Sequence, residues 1–286
     1  MLTKLLKYDF RALTRIMLPL QGGVLLAAVV GSFSIRIAVD SIARSFDSYF
    51  STSSISLPLE QVIYTTTIML GIFLFVAIAA SFWITLFLTA RHYYQSFLRD
   101  EGYLTFTLPV STSQNLCSKI IAGSAWLLVN TLIICFALLL LFSVGLAEGG
   151  RDIFTSTFAY IAETMSNVPG FILLLELIIL GLLLVVHAIM QVYVSLNIGA
   201  VLAKTHKVLA GIGIYVGINM IMQTFMSIIT FGLSFGLDST ISSSSQYDWF
   251  YGMQTLVLPS LIIHAGLIVL YFFISKNLLT NKLNLD

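Results

Sequence analysis

The sequence predicts an all-α polytopic membrane protein with six transmembrane helices and an N-terminal amphipathic interfacial helix. Three observations predict it. Of 286 residues, 58% are hydrophobic and only 9% charged, against about 45–50% apolar and about 25% charged in an average soluble domain. Six apolar stretches reach the roughly 20 residues that a bilayer-crossing helix needs, since backbone groups cannot be left unpaired in hydrocarbon. Finally, the basic residues alternate between the connections on the two sides of those stretches. The mean hydropathy of +0.98 agrees, and 27 charged side chains could not cover the surface of a soluble chain this long.

The first segment, residues 1–15, reads MLTKLLKYDFRALTR. It places Leu2, Leu5, Leu6 and Leu13 toward one face and Lys4, Lys7, Arg11 and Arg15 largely toward water and headgroups, as an interfacial helix does. The alternative is a plain positive flank. The apolar run that follows is too long for a signal-peptide core of about 7–15 residues, and no small-residue cleavage site follows it, so the first span is expected to be retained. The spans run approximately from Ile16 to Ala38, Val62 to Ala90, Ile120 to Ser143, Gly170 to Gly199, Val208 to Phe235 and Thr255 to Ser275. Between them, Ser48–Ser56 and Ser239–Gln246 are serine-rich loops expected to be exposed. The whole chain, 1–286, reads as a single transmembrane domain.

Lys4, Lys7, Arg11, Arg15, Arg91, Arg99, Lys119, Lys204, Lys207, Lys276 and Lys282 fall on one side. Arg36, Arg44 and Arg151 fall on the other. Eleven against three places both termini in the cytoplasm. A net charge of +1 offers no basic excess for nucleic acid. Cys117 and Cys135, on one helix, stand about 27 Å apart at about 1.5 Å per residue, too far for a disulfide.

The longest inner connection, Arg91 to Lys119, reads RHYYQSFLRDEGYLTFTLPVSTSQNLCSK. The AKTHK connection shows how short a plain turn can be. Here Arg91 to Arg99 continues the second span as a helix, Gly102 ends or bends it, and Ser111 or Ser113 caps the next helix after Pro109. Together with LLKYDFRA near the N-terminus and the six-span plan, the DEGYLTFTLPVS run from Asp100 to Ser111 resembles the permease subunits of ABC-2 type transporters, particularly bacterial peptide or toxin exporters. The resemblance implies that this loop carries a cytoplasmic coupling helix between spans two and three, docking on a separate ABC ATPase. It also implies an N-terminal helix along the inner leaflet and a second permease copy, a homodimer in the simplest case, enclosing the pathway. Amphipathic, antimicrobial or toxin peptides are the implied cargo, moved by alternating access. The candidate coupling residues are Arg99, Asp100, Glu101, Gly102, Tyr103, Leu104 and Phe106, charges around an apolar anchor.

No G-x-x-x-x-G-K-[ST] loop or Gly-Lys dipeptide occurs. No cofactor is therefore expected on this chain, and ATP and Mg belong on the partner ATPase. Within the spans, Glu176, His187, Gln191, Asn219, Gln223 and His264 are the polar candidates, with Gln21 and Asn130 as lesser ones, either lining a substrate path or packing helices. Gly213 and Gly217 would permit close helix approach. Glu176 and His187 share a face but lie about 16 Å apart along the axis, too far for one metal shell. HExxH and G-x-S-x-G are absent, so neither a metal site nor catalysis is expected. The alternatives to the exporter are a proton-coupled secondary carrier using Glu176, His187 and His264, and a toxin-immunity membrane protein.

Overall fold

The computed structural model describes residues 2–50, 58–99, 102, 110–145, 147–203, 205–238 and 246–281. They form helices α1 (Leu2–Phe50), α2 (Pro58–Leu98), α3 (Thr112–Gly145), α4 (Ala147–Ser166), α5 (Val168–Leu202), α6 (Lys207–Asp238) and α7 (Gln246–Asn281). No strand occurs among the described residues. Six of the helices, all but α4, are long and apolar enough to cross a membrane. They coincide one for one with the six stretches read from hydropathy. The molecule thus has the fold of a multi-pass helical membrane protein, and its large exposed apolar side chains suit lipid rather than water. Ile262, Met69 and Ile221 are each at least 70% exposed.

Two local features differ from the sequence reading. The N-terminal segment is helical, but it is the start of the same unbroken helix as the first span rather than a separate element. Pro19 lies inside that helix, where it forfeits one backbone hydrogen bond and its ring crowds the carbonyl four residues earlier. The second difference is α4, a 20-residue helix in a connection that charge counting marks only as an outer loop.

The chain divides into two compact units. One comprises Thr14–Thr85 and Trp126–Glu163. Its core is built from Val24, Ala28, Ile78, Ala137 and Leu141, with Ile35, Ile133 and Leu138 packed against them. Small residues let these helices close up: a Cβ on Gly71 would stand 3.1 Å from Ile35 Cγ1, and one on Gly31 would stand 3.3 Å from Leu141 Cδ2. Hydroxyls that would be costly in an apolar medium bond back to their own helix, as Ser81 does to the Ile78 carbonyl at 2.6 Å.

The other unit comprises Met1–Leu13, Leu86–Ala125 and Thr164–Asp286. Its axis is α5, in which most residues from Val185 to Gly199 are buried. Met190 and Val194 of α5 pack with Tyr271 of α7, joined by Ile120, Ile198, Ile218, Leu267 and Phe272. Leu173 and Val257 extend the α5–α7 contact toward the far end. Between α5 and α6 the turn is tight: the Ala203 N–H donates to the Gly199 carbonyl at 3.0 Å, and a Cβ on Gly199 would lie 2.6 Å from Gly211 Cα and closer still to Gly211 N. The close approach therefore uses Gly199 and Gly211. Gly213 and Gly217 have open space where a Cβ would go.

Candidate functional site: a buried polar knot where α2 ends and α3 begins

The most polar buried region lies in the second of these units, where α2 ends and α3 begins. Asp9, on the first turns of α1, is only 7% exposed. Its Oδ1 pairs with the Lys119 ammonium and its Oδ2 accepts the Ser118 hydroxyl at 2.5 Å. Lys119 is equally buried and donates a second bond to Ser96 Oγ at 3.1 Å. His92 completes the cluster, with Nε2 3.5 Å from Asp9 Oδ1 and 3.3 Å from Lys119 Nζ. Three side chains from α2 and α3 thus converge on one carboxylate from α1, and Ser96 holds the lysine. A buried ion pair survives only when its remaining donors and acceptors are satisfied, and here Ser96, Ser118 and His92 do that.

A layer of aromatic rings seats this knot on α5. Tyr93 and Tyr193 stack with centroids 3.9 Å apart and planes 11° from parallel. The Tyr193 hydroxyl donates to the Lys119 carbonyl at 3.3 Å, and the Tyr93 hydroxyl donates to Asn197 Oδ1 at 3.0 Å. Phe97 leans on Tyr93 at 5.0 Å. Gly123 is required beside them, because a Cβ there would come within 2.8 Å of the Tyr193 oxygen. Tyr93, Phe97 and Asn197 are fully buried. The adjoining ends of α2 and α3 are therefore held by both charge and ring packing.

The connection that these ends carry begins at Arg99, which is exposed. Gly102 is buried and its N–H donates to the Arg99 carbonyl at 2.7 Å, closing a turn at the end of α2. Asp100, Glu101, Tyr103, Leu104 and Phe106 lie outside the described residues. On the far side Ser111 caps α3, its Oγ accepting the Gln114 N–H at 3.3 Å, one of the two serines the sequence offers for that role.

Of the six polar candidates within the spans, the structure brings His187 and His264 together. Their rings meet edge to face with centroids 4.9 Å apart, and Tyr271 lies 5.5 Å from His187. His264 Nδ1 sits 2.7 Å from the Ser260 carbonyl. A carbonyl can only accept, so Nδ1 is the donor. His187 Nδ1, Gln191 Nε2 and Glu176 Oε2 are buried with no hydrogen-bond partner among the described residues. Glu176 remains about three turns from His187 on α5. Asn219 is hydrogen-bonded by Tyr215 within α6, and Gln223 is exposed. Gln21 and Asn130 belong to the other unit. The candidates therefore form a histidine pair and scattered single residues rather than one continuous seam.

An open apolar groove of about 420 Å³ lies in the same unit, lined by Cys117, Ile120 and Ile121 of α3, Met190 of α5, and Ile268 and Phe272 of α7. Among the described residues, no three His, Cys, Asp or Glu side chains gather closely enough to hold a metal ion.

No protein-family model, curated protein or solved structure matches this chain. The site must be judged on its own chemistry. Its centre, Asp9, is not among the residues that motif and span reading single out. Asp9 is the only acid among the first 39 residues, and it stands four residues from both Leu5 and Leu13, on the apolar stripe of α1. An acid in that register marks a buried partner, and the sequence carries that signal.

Proposed function

We propose that this chain is the permease subunit of an ATP-binding cassette exporter of the ABC-2 class, driven by a separate cytoplasmic ATPase that docks on the Arg91–Lys119 segment. The observation that carries this reading is the rigid seating of both ends of that segment. A lever must not yield where it joins the load. Force applied to residues 99–111 passes through the Asp9–Lys119 knot and the Tyr93–Tyr193 stack into α1, α2, α3 and α5 together. A merely covering loop gains nothing from such a base. The basic residues at this end suit the cytoplasmic face of a bacterial membrane. The apolar groove suits an amphipathic cargo such as a peptide, and a second copy of the chain would complete the pathway. No nucleotide site is assigned to this chain; ATP and Mg act on the partner.

Docking is tested by co-purification from membranes containing the ATPase. The full-length chain is expected to retain an ATPase through detergent extraction, whereas Asp100→Ala combined with Glu101→Ala is expected to lose at least ten-fold of the retained ATPase or of transport-coupled hydrolysis, about 1.4 kcal/mol or more of docking energy. Unchanged retention and coupling would overturn the assignment.

The His187–His264 contact favours one second reading, a proton-coupled carrier. On that reading, purified protein in liposomes transports under a pH gradient alone, and Glu176→Gln or His187→Phe abolishes the transport. If the gradient drives nothing without ATP and an ATPase, this reading falls.

A further inference from the structure

The open groove between α3, α5 and α7 is lined by apolar side chains and one cysteine, and all of it belongs to a single compact unit. Met190 of α5 is buried at its floor, Phe272 of α7 is half-buried beside it, and Ile121, Val269 and Phe273 stand exposed at its rim. Its volume is about 420 Å³. At roughly 30 Å³ for a group the size of a water, which is also the size of a methylene, that is room for on the order of 14 carbons. Most of one fatty acyl chain fits in it.

A single charge stands over this groove. At about 100° per residue, Ile268, Val269, Phe272 and Phe273 cover an arc of about 140° on α7, and Lys276 falls near the middle of that arc. It lies one turn, about 6 Å, beyond Phe272 toward the C-terminal end of the helix. Lys276 is exposed and joins no ion pair among the described residues. The other wall adds charge of the same sign. α3 begins at Thr112, only five residues before Cys117, so the positive end of its backbone dipole is about 7–8 Å along the axis from the groove. No acidic side chain lines the groove. A hydrocarbon slot flanked by a lysine and a helix N-terminus fits an amphiphile with an apolar tail and an anionic head.

We infer that this groove is a binding site for one anionic phospholipid, with an acyl chain held on Met190 and Phe272 between α3 and α7 and the phosphate on the Lys276 ammonium. Lipid is the occupant because the six long apolar helices are those of a multi-pass membrane protein, whose spans meet lipid before any partner arrives. Apolar contact alone would hold any phospholipid. Lys276 is what selects a negative head, as basic residues at the ends of spans do. The site needs no ATPase and no transport, so it stands apart from the export reading, and a cargo using the same groove would have to displace this lipid.

Native mass spectrometry of the full-length chain in detergent, titrated with phosphatidylglycerol or with phosphatidylcholine of identical acyl chains, tests the site. One phosphatidylglycerol is expected to be retained about five-fold better than phosphatidylcholine, the effect of one basic residue on an anionic lipid. Lys276→Gln is expected to abolish that preference, whereas Arg15→Gln, an equal loss of exposed charge on α1, is expected to leave it unchanged. Val269→Trp, which fills the rim, is expected to lower retention of both lipids. Equal retention of the two lipids by the parent, an Arg15→Gln loss as large as that of Lys276→Gln, or full retention by Val269→Trp overturns the inference. A phosphatidylglycerol with a diazirine in its acyl chain locates the site in liposomes without any substitution. Adducts at residues 117–121 and 268–273 that excess phosphatidylglycerol suppresses and phosphatidylcholine does not support it. Adducts spread evenly over all the spans mean an unselective lipid shell, and none in the groove means that protein covers it; both refute it.

Discussion

Asp9→Ala is expected to remove most of the folded protein, because it leaves the Lys119 ammonium buried beside His92 with no counter-charge. Deleting one partner of a buried ion pair costs about 3–5 kcal/mol, a large share of what holds an ordinary domain together. Replacing both partners removes the stranded charge. The double variant Asp9→Leu, Lys119→Met is accordingly expected to recover most of the loss, since apolar pairs of similar size are neutral or stabilising in place of buried ion pairs. The check is the thermal midpoint of the detergent-solubilised chain followed by size-exclusion chromatography. If Asp9→Ala melts with the parent, Asp9 and Lys119 do not share a buried site.

The second large effect is expected at the α5–α6 crossing. Gly199→Ala puts a methyl group 2.6 Å from Gly211 Cα and closer still to Gly211 N, against backbone that cannot rotate out of the way. Overpacking of this kind costs about 1–3 kcal/mol, and the backbone-on-backbone clash puts this variant at the upper end. Gly213→Ala and Gly217→Ala, with open space around the added methyl, serve as controls. They are expected to be neutral or slightly stabilising, because alanine is favoured over glycine in a helix by up to about 1 kcal/mol. Thermal midpoints of the three variants give the comparison. A Gly213→Ala loss equal to that of Gly199→Ala would mean that the helices cross elsewhere.

The six long helices are legible because a run of apolar residues is a local property, read directly from order along the chain. So are the helical continuation of α2 through Leu98 and the cap at Ser111, each set by a few neighbouring residues. The knot is not legible in the same way, since Asp9 and Lys119 are 110 positions apart and only packing brings them together. The α5–α6 crossing is alike in this, since it uses one glycine from each of two helices and only packing shows which. α4 escapes for a different reason. Sorting its connection by charge passes over a pattern that is one of phase around a helix.

The distance along the chain between Asp9 and Lys119 also sets an order of assembly during synthesis. Chains grow at about 5–20 residues per second, so the carboxylate waits roughly 5–20 s for its partner. Throughout that interval α1 has an acid on its apolar stripe and nothing to neutralise it. Its first turns are expected to stay at the aqueous boundary until α3 arrives. The α5–α6 hairpin faces no such delay, because Gly199 and Gly211 are only 12 residues apart and can close as soon as both have left the ribosome. Nascent chains truncated before and after Lys119 would therefore differ in protease sensitivity at residues 2–13.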